Sequence, residues 1–204
     1  MDKISTIVFD IGNVLVAFRW KEYLQGCGYT EEVIERVGKA TVKDKRWKEW
    51  DRGVIDEQAM IEQCCEQDPG VAKEIRKFFE DFLLLIQEYD YSASLIRNLK
   101  TNGYKVYLLS NYSKKHFEED KEYFTFLEDV DGWVISYEIK HIKPEAQIYQ
   151  TLINKYDIVP GEAVFLDDLD ENLEGARVFG FHTIPVSSYP QMTEDLMKLG
   201  IMIK

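Results

Sequence analysis

With 204 residues, 45% of them apolar, the chain is long enough to bury a full core, with room for a small second domain. Its 37 acidic against 25 basic residues leave a net charge of −12, which argues against nucleic acid or an anionic membrane surface as partner. A small phosphorylated metabolite stays open, because local charges govern its site. No apolar run approaches the roughly 18 residues of a membrane span, and the N-terminus carries no signal-peptide pattern. Cys27, Cys64 and Cys65 show no metal-ligand spacing, so a cytoplasmic protein with reduced thiols is expected. The oligomeric state is not legible.

In chain order, Ile7-Val8-Phe9 is a short apolar run of the kind found in a parallel strand covered on both faces. It stops at Asp10, and Gly12-Asn13 marks a turn. A carboxylate at the carboxyl end of such a strand either caps a turn or sits where open α/β sheets bind ligands.

From Phe18 to about Glu88 the pattern turns helical, through Glu31–Val37, Ile55–Cys65 with Asp56 as a cap, and Val71–Leu83 after Pro69. Four or so helices between the first two strands predict a compact helical unit over residues 17–88. Within it, Trp47 and Trp50 are three apart and share a helix face, and Arg52-Gly53 ends that helix. The tryptophans are either ordinary packing residues or, with Arg52, face a substrate; Trp20 and Tyr23 have a weaker claim of the same kind.

Beyond the insert, Ser92–Lys100 reads as an amphipathic helix and Tyr104–Leu109 as a strand ending in Ser110-Asn111. That pair is either a common turn or a source of donors to phosphate oxygens. Trp133–Ile135 leads to Lys143-Pro144-Glu145, with Pro144 opening a helix; Lys143 is either a solvated charge or a site cation. His141 reads as incidental. Ala163–Leu166 ends in Asp167-Asp168, adjacent carboxylates that repel unless a cation or proton lies between them. Asp170 and Glu171 suit a helix N-terminus. Phe181–Val186, interrupted by Pro185, suits a strand near the sheet edge, and Met192–Leu199 a closing helix.

Four strands, each delivering a polar group at its carboxyl end, describe one site at one sheet edge. The order Asp10, Ser110, Lys143, Asp167-Asp168 resembles the haloacid dehalogenase superfamily of aspartate-nucleophile hydrolases, most of them phosphatases. The resemblance implies a doubly wound, Rossmann-like α/β core (residues 1–16 and 89–204) with an inserted α-helical cap (17–88). It implies Asp10 as nucleophile, Lys143 as the cation between nucleophile and phosphate, and Ser110 as phosphate binder; Asn111 beside it offers an amide to the same group. Arg52 is a cap candidate for substrate contact. Magnesium, a hard cation that takes oxygen ligands, would be held by Asp10, the Gly12 carbonyl and Asp168, with Asp167 acting through water or from behind the direct ligands.

One position departs from the family pattern. A second aspartate two residues after the nucleophile normally protonates the leaving group, and here that residue is Gly12. Haloacid dehalogenases also lack it, and a catalytically weak binding protein would too. The Asp167-Asp168 pair, and Asp-Ile-Gly-Asn-Val followed by Leu-Asp-Asp and Asn172, resemble instead the branch of sugar-phosphate phosphatases and epoxide-hydrolase N-terminal domains. A magnesium-dependent phosphomonoester hydrolase is therefore the first expectation, with a replacement acid to be sought in the cap near Asp51.

Overall fold

All four residues of Thr6–Phe9 (β1) are buried, as expected of a strand covered on both faces. In the computed structural model, which describes residues 3–203, β1 is the middle of a five-stranded sheet. Residues 1–2 and 204, the ends of the expected core segments, lie outside the described residues. Following β1 come Val16–Phe18 (β2), five helices, and Ile86–Glu88 (β3). The helices are Trp20–Gly26 (α1), Glu31–Ala40 (α2), Lys45–Asp51 (α3), Glu57–Gln67 (α4) and Ala72–Glu80 (α5). The chain continues through Ser92–Thr101 (α6), Lys105–Ser110 (β4), Lys114–Asp120 (α7), Gly132–Ile135 (β5), Ser136–Ile139 (α8) and Ala146–Tyr156 (α9). It closes with Ala163–Asp167 (β6), Asp170–Arg177 (α10), His182–Pro185 (β7) and Tyr189–Lys198 (α11).

The sheet order is β5-β4-β1-β6-β7, and every pairing in it is parallel. Side chains alternate across β1. Ile7 and Phe9 pack with Leu95, Ile96 and Leu99 of α6 and Met192 and Leu196 of α11. Val8 packs on the opposite face with Ile148, Tyr149 and Leu152 of α9 and Leu173 of α10. Helices therefore cover both faces, the doubly wound architecture. β7 carries Pro185 at the sheet edge, where a missing backbone donor costs least.

The insert has its own core, in which Leu24, Ile34, Val37, Met60, Ile75 and Phe78 are buried together. Its ends are not helical, contrary to the sequence pattern: β2 and β3 form an antiparallel ribbon pairing Val16 with Glu88 and Phe18 with Ile86. Two three-residue strands so far apart in the chain leave no periodicity to read. Helix α4 begins at Glu57, after Asp56 accepts the Ala59 N–H at 2.8 Å as cap. Pro69 opens a short 3₁₀ turn before α5, and Phe82–Leu85 forms another rather than extending α5. Nor does Pro144 start a helix: the Lys143–Pro144 peptide is cis, and α9 begins at Ala146 after extended Glu145. No helix among the described residues is long and apolar enough to cross a membrane.

Candidate active site

The carboxyl ends of β1, β4 and β6 deliver Asp10, Ser110 and Asp167 to one edge of the sheet. Asp10 is held there by its own N–H, which donates to the Leu166 carbonyl at 2.9 Å, and its Oδ1 accepts the Ile11 N–H at 2.7 Å. Lys143 Nζ lies 2.8 Å from Asp10 Oδ1 and 2.6 Å from Asp167 Oδ2. The Lys143 side chain is 1% exposed, so it is no solvated surface charge; it is a buried cation shared by two carboxylates.

Two amides keep it there. Asn111 Oδ1 accepts the Lys143 N–H at 2.7 Å, and Asn111 Nδ2 donates to the Lys143 carbonyl at 3.1 Å. Asn172 Nδ2 donates to both Asp167 oxygens, at 2.9 and 3.1 Å, and the Leu169 N–H reaches Asp167 Oδ1 at 2.8 Å. Asn111, expected to bind phosphate through its side chain, is instead a brace for the Lys143 loop. Asp167 is likewise committed, to Lys143 and Asn172.

Ser110 is buried at the end of β4 and lines the cavity beside Asp10. Asn13 takes a left-handed backbone, φ 54°, which asparagine tolerates better than most residues. From that turn Asn13 Nδ2 donates to Asp168 Oδ2 at 3.0 Å. Gly12 lies on the same cavity wall; its φ is not in the left-handed region, and a Cβ there would meet nothing within 4 Å.

Oxygen atoms of Asp10, Asp167 and Asp168 all lie within 4.8 Å of one another. Burial drives the Asp10 pKa up to about 7; the Lys143 charge pulls it down and the charges of Asp167 and Asp168 push it further up. Burial also raises Asp168. For Lys143, burial opposes the charge, but Asp10 and Asp167 outweigh it and hold the ammonium above its usual range. Three crowded carboxylates thus lie beside one ammonium that pairs with two of them, an excess of negative charge that a divalent cation would balance.

The insert closes the site from above. Asp51, the last residue of α3, lines the cavity with Asp10 and Ser110. Ser136 Oγ donates to the Asp51 carbonyl at 2.5 Å and accepts the Tyr112 N–H at 2.9 Å, pinning the end of α3 to the core. Burial, reinforced by the charge of Asp10 and opposed by Lys143, pushes the Asp51 pKa up to about 8. Among the described residues its carboxyl has no hydrogen-bond or ion-pair partner. The sequence signals it only by its place beside Trp50.

Arg52 does not face the cavity. Its two terminal nitrogens reach Glu145 Oε2 and Oε1, both at 2.7 Å, and its Nε reaches Glu49 Oε2 at 3.3 Å. Where a substrate contact was expected, the structure instead has two carboxylates holding the guanidinium at the insert–core seam. His141 joins the same knot, Nδ1 to Glu145 Oε2 at 3.1 Å. Tyr23 donates its hydroxyl to Asp81, and neither it nor Trp20 lines the cavity. Trp47 and Trp50 pack edge to face at 4.9 Å between ring centroids, and both line the cavity.

A family model described as haloacid dehalogenase-like hydrolase matches residues 4–180. The chain is 25% identical over 173 residues to sesquiterpene phosphatase astK of Aspergillus oryzae, covering 85% of each protein. It is 24% identical over 217 residues to phosphatase MT3486 of Mycobacterium tuberculosis, covering 98% of this chain and 97% of that protein. A HAD family enzyme from Bacteroides thetaiotaomicron, solved with magnesium and inorganic phosphate, superposes with a TM-score of 0.68 at 23% identity. That match covers 91% of this chain and 96% of that one.

Proposed function

The chain belongs to the haloacid dehalogenase-like hydrolases, and from that premise we propose that it hydrolyses phosphomonoesters of small metabolites, with magnesium, through an aspartyl-phosphate on Asp10. The observation that carries the reading is the buried Asp10–Lys143–Asp167 chain with Asp168 beside it, a set of oxygens one positive charge cannot neutralise. Two relatives named as phosphatases, matched over 85% and 97% of their length, add to it, as does the magnesium and phosphate held by a protein of the same fold. The insert over residues 17–88 serves as the cap that closes on the substrate.

Asp10 and Asp168, with the Gly12 carbonyl, are the residues that would hold magnesium. When bound, the ion neutralises charge and polarises the phosphoryl oxygens. Everything else falls to the chain. Lys143 pairs with the attacking carboxylate and would offset charge on the transferring phosphoryl group, while Asp167, held by Asn172, fixes its position. Ser110 Oγ supplies a donor to the same group. An Asp10 oxygen forms the bond to phosphorus as the ester P–O bond breaks; water then cleaves the acyl phosphate, releasing inorganic phosphate.

The leaving oxygen needs a proton that Gly12 cannot supply. We place that role on Asp51, because its carboxyl shares the cavity with Asp10 and lacks another partner, and an acid near pKa 8 still carries its proton at neutral pH. Magnesium-dependent phosphate release from a panel of phosphomonoesters tests the reading. Halide release from 2-haloacids in excess chelator would replace it with the dehalogenase alternative, and phosphate-analogue binding without turnover with a binding protein.

A further inference from the structure

The cavity above Asp10 is walled by Val16, Phe18, Trp47, Trp50, Phe82 and Ile86. These come from the ribbon, from α3 and from the 3₁₀ turn at Phe82–Leu85, the parts of the insert nearest the sheet edge. The rings brace one another, with centroids 6.0 Å apart for Phe18 and Trp47, 6.2 Å for Trp47 and Phe82, and 5.9 Å for Trp50 and Phe82. Such a wall is formed before any ligand arrives, so its apolar surface need not be assembled on binding.

Most of the polar lining is already engaged. Asn13 serves Asp168 and accepts the Phe18 N–H, and Asn111 serves Lys143. Ser113 Oγ is 3.0 Å from His116 Nδ1, and the Tyr112 hydroxyl donates to Asp120 at 2.5 Å. Asp10 and Ser110 face the phosphoryl group, which leaves Asp51 beside the ester oxygen. A sugar entering this space would bury hydroxyls with almost nothing to pair with, and unpaired buried hydroxyls are costly.

We propose that this site selects phosphomonoesters whose leaving group is a compact hydrocarbon, seated against the wall formed by Phe18, Trp47, Trp50 and Phe82. The inference rests on the hydrolase reading above and narrows it away from sugar phosphates. The cavity measures ≈ 110 Å³. Since an apolar cavity of about 150 Å³ holds the six carbons of benzene, a group of about four or five carbons next to the ester oxygen matches the space, with the phosphoryl group at its Asp10–Ser110 edge.

The test compares 3-methylbutyl phosphate with glycerol 1-phosphate in the presence of magnesium. Both are primary alkyl esters, and glycerol is the better leaving group, so an apolar preference cannot come from the chemistry of departure. The expected ratio of kcat/KM is at least about 10 in favour of the hydrocarbon, approaching the ~10² that a pocket contact can supply. Trp47→Gln, with Phe18→Gln as a second variant and a thermal melt to confirm folding of each, should narrow that ratio about fivefold or more. A ratio near or below one overturns the inference while leaving the hydrolase reading intact. So does a high ratio that neither variant moves, since the selectivity would then lie elsewhere.

Calorimetric binding of 3-methylbutylphosphonate against 2,3-dihydroxypropylphosphonate, with magnesium, needs no turnover. If no phosphomonoester is hydrolysed, the hydrolase reading fails. Tighter binding of the hydrocarbon phosphonate still supports the pocket assignment, and equal binding overturns it.

Discussion

Arg52 of the cap and Glu145 of the core form a two-pronged ion pair, each contact 2.7 Å long. The guanidinium holds the Glu145 carboxyl down to about 2, so the pair is charged at neutral pH. Beside it, Lys140 Nζ donates to the Gly53 carbonyl at 2.6 Å and Ser136 to that of Asp51 at 2.5 Å. Three contacts from the β5–α9 stretch thus hold the end of α3 over Asp10. The pair ties the insert to the core away from the cavity.

Removing it should therefore act on all substrates alike. Arg52→Ala should lower kcat/KM for apolar and polar phosphomonoesters by one common factor of roughly 3–10, as expected for a partly exposed charged pair of about 1 kcal/mol. Glu145→Ala should do the same, and the double variant should lose little more. A change in the ratio between substrates would return Arg52 to the substrate.

Asp51 and Gly12 form a second test, read in leaving groups. Asp51→Asn should slow alkyl phosphates by the roughly 10²–10⁴ of a positioned acid, and aryl phosphates, which depart unprotonated, far less. Gly12→Asp is open to trial, because a Cβ at Gly12 meets nothing within 4 Å and its backbone is not left-handed. In the parent it should add little; in the Asp51→Asn background it should recover alkyl phosphates. Equal loss on both ester classes in Asp51→Asn would give Asp51 a structural role.

Metal removal gives a readout separate from turnover. A ligand at about 100 times its Kd stabilises the native state by about 2.7 kcal/mol, roughly 5–10 °C for a chain of this size. Magnesium should raise the melting temperature of the parent by that order. Asp168→Asn should lose more than half of the shift and Asp167→Asn should keep most of it, because Asp167 is committed to Lys143 and Asn172. Equal loss in both variants would place Asp167 among the ligands.

A fourth prediction concerns stability against pH. Asp120 is buried, accepts the Tyr112 hydroxyl, and has an Oδ1 with no partner. Burial raises its pKa from 3.8 to about 6; the Tyr112 hydrogen bond opposes this and the Glu119 charge adds to it. The fold prefers the protonated form, so the contribution is full below pH 3.8 and is lost as pH rises through about 6. At about 1.4 kcal/mol per unit this is on the order of 3 kcal/mol. Asp120→Asn should thus gain that much on the parent between pH 4 and pH 8, measured by denaturant unfolding. A difference that does not vary with pH would contradict it.

The sheet and its polar edge were legible because they depend on local signals: buried apolar runs that end abruptly in Asp10, Ser110 or Asp167. The helical insert was legible through periodicity, and Asp56 as a cap through its place before α4. What escaped depends on partners far along the chain. The ribbon joins Val16 to Glu88. Arg52 reads as a candidate substrate contact until Glu145 arrives, and Asn111 as a phosphate donor until the Lys143 backbone takes both ends of its amide. The apolar wall could not be foreseen from Trp47 and Trp50, because Phe18 and Phe82 complete it only when the ribbon closes.

The most direct measurement of the central claim is a covalent trap at Asp10. The enzyme, turning over an aryl phosphate with magnesium, is quenched, reduced with borohydride and mapped by mass spectrometry. Reduction of an aspartyl-phosphate leaves homoserine, and the account predicts it at position 10 alone, with neither product nor turnover in Asp10→Asn. Steady turnover with Asp10 unmodified, or a phosphoryl group trapped on another residue, would contradict it.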